Sequence, residues 1–159
     1  VERLLTYLSI ADGQCVMGYR VRDALIALDF LKRQPDVDAS DITIAGRGIG
    51  GVVALMAAVL SGGGERAVLF DALASYKHLC TEFPYDWSQT IIVPSILPHF
   101  DLPDLAACLG ERCTIIRPLN AMRTPLNKVD AEHTYRVALR NGARLFTENA
   151  EARLIDALR

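Results

Sequence analysis

The chain has 159 residues, a formal net charge of -2, 51% hydrophobic residues and 23% charged ones. That length suits one domain with a real core, and the charge balance argues against a broad cationic face for nucleic acid or anionic lipid. No apolar run approaches the ~20 residues of a membrane span; the longest, residues 50–60, reads as a short buried helix in an ordinary soluble globular composition.

The first residue is Val1, and the opening stretch "VERLLTYLSIADGQCVMGYRVRDALIALDF" is helical in character, without a signal-peptide pattern. The expectation is a fragment or trimmed product whose compartment cannot be read from it. Residues 17–34 form an amphipathic helix: Val21, Ala24, Leu25, Leu28 and Leu31 recur at three-four spacing, with Arg20, Arg22, Asp29 and Lys32 between them. Pro35 stops it. A polar turn leads to a short apolar strand at residues 42–45, a glycine turn, and a helix over residues 50–60 that "SGGGE" terminates.

"RAVLF", residues 66–70, is the next strand and ends at Asp71. Residues 74–100 have no clean period and carry Pro84, Pro94, Pro98 and five aromatics, so a short helix followed by a long loop is expected. Asp101 opens a helix with Pro103 in its first turn. A strand over 113–117, a helix over 127–140, a strand over 144–147 and a helix over 150–158 complete the chain. Strand and helix alternate four times, which predicts one α/β domain: a parallel sheet with helices on both faces. Cys15, Cys80, Cys108 and Cys113 form no CxxC pair and have no histidine at ligand spacing. They read as buried or half-buried free thiols, and no metal or cofactor is expected.

The glycine turn "ITIAGRGIGG" admits two readings. As GxGxxG, Gly46, Gly48 and Gly51 follow a strand and open a helix, and Asp71 lies about 20 residues further on, where a ribose-binding acid belongs. As GxSxG, Gly46, Gly48 and Gly50 take positions one, three and five of an elbow that includes Arg47 and Ile49, the flanking glycines being there because tight packing leaves no room for a Cβ. The surroundings favour the elbow. A long helix and "PDVDASDITIAG" precede it, and an aromatic- and proline-rich excursion follows Asp71 in place of a compact βαβ unit.

"RVRDALIALDFLKRQPDVDASDITIAGRGIGGVVALMAA" resembles the central segment of bacterial α/β-hydrolases of the acetylxylan-esterase and dienelactone-hydrolase type. There a "D-A-L-x-A-L-D-F-L" helix leads through "P-x-V-D" to the nucleophile strand and "G-x-S-x-G-G". "LPHFDLPDLAACLGERCTIIRPLNAMRTPL" is similar to the segment that carries a helix into the acid-bearing strand. The resemblance runs from about Leu4 to the final helix and is most specific over residues 35–51 and 99–125. It implies the part of the hydrolase fold from the nucleophile strand onward, without the N-terminal strands. The edge of the first strand is then expected to be covered by an upstream part of the same polypeptide or by another subunit.

The family's chemistry is ester hydrolysis by a Ser-His-acid triad in the chain order nucleophile, acid, histidine. The resemblance places Gly48 at the nucleophile, Asn120 at the acid, and the loop "TENAEA" at the histidine, with Glu148 and Asn149 its nearest polar residues. All three positions depart from the pattern, which points to a degenerate esterase-like domain with a structural, interaction or ligand-holding role, a carbohydrate ester being the ligand the family suggests. His78, His99 and His133 read as surface or packing residues, and Ser75 and Ser95 sit on no elbow. Asp71 and Glu148 are the polar candidates for a substitute pocket, Asp71 otherwise being a helix cap or turn acid. Arg47 either presents a cation at the pocket mouth or is solvated or paired with a nearby carboxylate. Two alternatives stay open: an active hydrolase with non-standard or partner-supplied groups, and NAD-type binding through Gly46, Gly48, Gly51 and Asp71.

Overall fold

In the computed structural model, which describes residues 2–158, the strands β1 (Thr43–Arg47), β2 (Arg66–Phe70), β3 (Cys113–Ile116) and β4 (Arg144–Phe146) pair in parallel in the order β1-β2-β3-β4. Each crossover carries helix. Preceding the sheet are α1 (Glu2–Ala11) and α2 (Val16–Lys32); between strands lie α3 (Ile49–Leu60), α4 (Tyr76–Thr81), α5 (Leu102–Leu109), α6 (Lys128–Thr134) and α7 (Arg136–Arg140); α8 (Ala150–Ala157) follows β4. The chain is an α/β protein, as its alternation predicts.

The period of two along each strand divides the core in two. Ala67, Leu69, Cys113 and Ile115 point into the larger cluster, with Val52 and Leu55 of α3, Leu105 of α5 and Tyr135. Val68, Phe70 and Ile116 point to the other face, where Ala150 of α8 is buried with them and Leu154 and Ala157 pack alongside. Four of the five residues of β2 and all four of β3 are buried, as interior parallel strands require, whereas β1 is half-exposed. No described strand pairs with the second edge of β1.

Several boundaries differ from the sequence expectation. The helix expected over 127–140 is two helices that break at Tyr135, whose backbone (φ -98°, ψ 16°) leaves the helical well. Tyr135 is fully buried, and just before it Thr134 returns its hydroxyl to the Asp130 carbonyl at 2.8 Å, a back-bond that bends helices. The helical opening is interrupted before Cys15, which caps α2 by accepting the Gly18 N–H at its sulfur. All four cysteines are free, but Cys80 and Cys108 are exposed, not buried or half-buried, because each lies on the outward side of a short helix. Cys113 is buried, and burial pushes its thiol up to about 12.

The irregular stretch of residues 82–100, a 3-10 turn at Gln89–Ile91 apart, is tied down by polar contacts rather than by period. Asp101 is the knot. It caps α5 in a reciprocal box with Asp104, accepts the Tyr76 N–H at 2.8 Å and receives the Ser75 hydroxyl, which itself caps α4. Asp101→Ala is expected to destabilise the chain by about 2–3 kcal/mol, since a cap and hydrogen bonds to a charged acceptor are lost together. Urea denaturation monitored by circular dichroism measures it.

Candidate functional site

The glycine turn joins β1 to α3 at very close range. A Cβ on Gly46 would lie 2.1 Å from the Gly50 carbonyl oxygen, and one on Gly51 would lie 2.8 Å from the Ala72 Cβ. These two glycines are therefore obligatory. Gly50 is not: a Cβ there meets nothing within 4 Å, which corrects the expectation that packing demands both elbow glycines. The first turn of α3 is open on that side and Gly50 is exposed. Gly48 caps α3 with φ 58° and ψ -123°, a combination outside the wells that L-residues populate. Its own N–H donates to the Phe70 carbonyl at 2.9 Å, and a Cβ built on it faces open space. The turn thus has the sharp, strained geometry of an elbow, with room for a side chain and none present.

Beside the turn lies a cavity of about 780 Å³ whose wall includes Arg47, Gly48, Ile49, Gly50, Asp71, Trp87, Arg117 and Arg123. Three strand ends supply its charges: Arg47 closes β1, Asp71 follows β2 and Arg117 follows β3. Asp71 caps no helix; it stands in a bend with φ 51° at the end of β2, and its side chain pairs with arginines. It is buried, with the Arg117 Nε 2.6 Å from Oδ1, the Arg117 Nη2 2.9 Å from Oδ2 and the Arg47 Nε 2.9 Å from Oδ2. Both guanidinium groups also lie over the Phe70 ring, 5.2 Å from its centroid. The Arg117 hydrogen bonds hold the Asp71 carboxyl below its ordinary value against the opposing effect of burial, and Arg47 adds to them.

This pairing bears on the dinucleotide reading. Both Asp71 oxygens already accept from arginines, three hydrogen bonds in all, so a ribose would share the carboxylate with two guanidinium groups. The sheet order also runs consecutively, with no reversal of strand order among the described residues.

The other candidates lie apart from the cavity. Asn120 is consumed by its own loop: its side-chain oxygen accepts the N–H groups of Met122 at 3.0 Å and Thr124 at 2.9 Å, and its carbonyl accepts the Trp87 indole N–H at 2.9 Å. Asn149 is left-handed (φ 53°, ψ 38°) at the start of α8, a conformation asparagine tolerates. Glu148 is exposed and lines a separate depression with Asn149, Lys128 and Arg153, so the expectation that it shares a pocket with Asp71 is corrected. The reason is distance along the sheet: β1 and β2 lie at one end, β4 at the other. His78, His99 and His133 do not line the elbow cavity. Among the described residues, no three His, Cys, Asp or Glu side chains gather to hold a metal, and no helix is long and apolar enough to cross a membrane.

Sequence reasoning missed Arg117, Arg123 and Trp87 as partners of the elbow. For Arg117 a signal existed: it is a charged residue ending an apolar strand, at the sheet edge where parallel α/β folds bind ligands. Comparison with protein-family models and with curated proteins finds no match.

Two outcomes follow from this geometry. Gly46→Ala is expected to lose at least about 3 kcal/mol or to fail to fold, while Gly50→Ala stays within about 1 kcal/mol of the parent in urea titrations. Asp71→Asn leaves a partly buried arginine without its counter-charge and is expected to cost about 2 kcal/mol at pH 7. Because the folded-state value of Asp71 is depressed, its contribution is complete above the unfolded value of about 3.9 and is lost as pH falls through the folded one. The stability gap between parent and variant should therefore narrow below pH 4, read by denaturation at stepped pH.

Proposed function

We propose that the chain is an esterase-like α/β-hydrolase domain of acetylxylan-esterase type that does not turn over esters and instead holds a ligand in the elbow cavity. The observation that carries this reading is Gly48: the strained elbow and the space in front of it are kept, but the atom that would attack a carbonyl is absent. Three further features support it. The ends of β1, β3 and β4, where the resemblance puts nucleophile, acid and histidine in the family's chain order, lie on one edge of the sheet. Asn120, at the acid position, spends its acceptor oxygen on its own turn. No histidine reaches the cavity wall. The half-exposed β1 edge supports the further proposal that an upstream segment or another subunit adds to the sheet there.

Restoring one atom group does not restore a mechanism. A serine at 48 fits sterically and costs about 1–3 kcal/mol of backbone strain, but it meets no general base. Neither the chain nor its Gly48→Ser variant should release chromophore from a short-chain chromogenic acetate ester above the buffer rate. Turnover by the unmodified chain sinks the non-catalytic reading.

A further inference from the structure

The elbow cavity carries more positive charge than its own acid answers. Arg47, Arg117 and Arg123 line it with one carboxylate, Asp71, an excess of two positive charges. Glu151 lies within electrostatic reach of Arg117 but forms no ion pair with it. The donors are also in surplus. Arg117 uses Nε and Nη2 on Asp71, leaving Nη1, and Arg47 uses Nε, leaving both Nη groups. The Arg123 guanidinium makes no hydrogen bond or ion pair with any described residue and lies over the Trp87 ring, 5.5 Å from its centroid.

The buried carboxylate of Asp71 holds the Nε ends of two of these arginines, so they are oriented before anything binds. Among the described residues, three of the five non-glycine ones with positive φ, namely Asp71, Arg117 and Arg123, belong to this one wall. Backbone held in such conformations is stabilised by its surroundings and concentrates at ligand sites. A neutral ester has no use for three guanidinium groups; a carboxylate or phosphate pairs with them by charge-assisted, often bidentate hydrogen bonds. The remaining wall adds Pro125 and the edges of the buried Trp87 and Leu119, and the cavity volume falls within the range of small-molecule sites.

The geometry points to a small ligand bearing an oxyanion, with its carboxylate or phosphate between Arg47, Arg117 and Arg123 and a body the size of a sugar against Trp87. This inference rests on the ligand-holding reading of the cavity and names the class of ligand. The first-turn N–H groups of α3 at Ile49 and Gly50 add to the attraction without being needed for it.

Trp87 is the single tryptophan of the chain, so its emission reports the site. The full chain is titrated with inorganic phosphate, glucuronate and glucose at constant ionic strength, with calorimetry in parallel. Saturable binding of glucuronate or phosphate at least tenfold tighter than glucose is expected, and which of the two binds tells a planar head group from a tetrahedral one. Arg123→Gln, whose exposed side chain leaves the core alone, should weaken the anion roughly tenfold with an unchanged melting temperature, and Arg47→Gln should weaken it as much while lowering the melting temperature, since it removes a contact of buried Asp71. Equal binding of glucose and glucuronate, full affinity in both variants, or no response to either anion overturns the inference. The non-catalytic reading fails separately, by ester turnover, which these titrations do not measure.

Discussion

The near-contact of Gly46 with Gly50 sets the geometry on which the rest of this molecule depends. With 2.1 Å between a hypothetical Cβ and the Gly50 oxygen, α3 can leave β1 only as it does, pressed onto the strand it has just left. That approach forces Gly48 out of the ordinary wells and turns the first turn of α3 toward the C-terminal edge of the sheet. The same approach lets α3 pack on β1 and β2 at once and meet α2 and α5, so the larger core cluster is organised around it. Ala72 lies against Gly51 for the same reason, which fixes where the chain emerges after β2 and therefore where Asp71 sits.

From that point electrostatics takes over from packing. A buried aspartate at a strand end is unstable alone, since desolvation disfavours its charged form. Arg117 supplies a fork with two hydrogen bonds and Arg47 a third contact, and both arginines rest on Phe70. The ends of β1, β2 and β3 are thereby tied across the sheet by charge, whereas the resemblance would set a triad at the ends of β1, β3 and β4. The comparison is instructive about what each arrangement can do. In a triad the histidine takes the serine proton and gives it to the leaving group, while the acid stays ionised and orients the imidazole. An arginine–aspartate–arginine cluster cannot do this, because guanidinium does not give up its proton at any ordinary pH.

The sequence carried the fold well and the site partly. Every strand lies within two residues of its expected position because β2 and β3 are short, apolar and bounded by glycine or polar turns, and because "DLPDLAACLG" spells its own cap. The break at Tyr135 was hidden, since the helical period runs through it and only the burial of one large side chain and the Thr134 back-bond interrupt the backbone. The elbow was legible as a motif, down to Gly48. The pairing of Asp71 was not: Arg47 and Arg117 lie 24 and 46 residues from it along the chain, and only strand order brings them together. Asn120 and Asn149 were placed by resemblance alone, and spacing could not reveal that Asn120 serves its own loop or that Asn149 is left-handed at the start of α8. Arg123 was hidden for a different reason, being an exposed residue in a turn that the Trp87 indole holds in place through Asn120.

On the esterase-like reading proposed above, the charge of the wall fits with a cavity that has no nucleophile beside it. An esterase binds a neutral substrate, stabilises an oxyanion only in the transition state, and must release a carboxylate product. Fixed guanidinium groups around the same space stabilise a full negative charge in the ground state, so they favour the product of such a reaction over its substrate. A wall that holds Arg47 and Arg117 in place with a buried carboxylate would slow release of any acid formed beside it. The same wall is suited to retention, where affinity for an anion is the function and release is no part of a catalytic cycle. On the proposed reading, the glycine at 48 and the arginines around it serve one end, holding an anion rather than making a carboxylate.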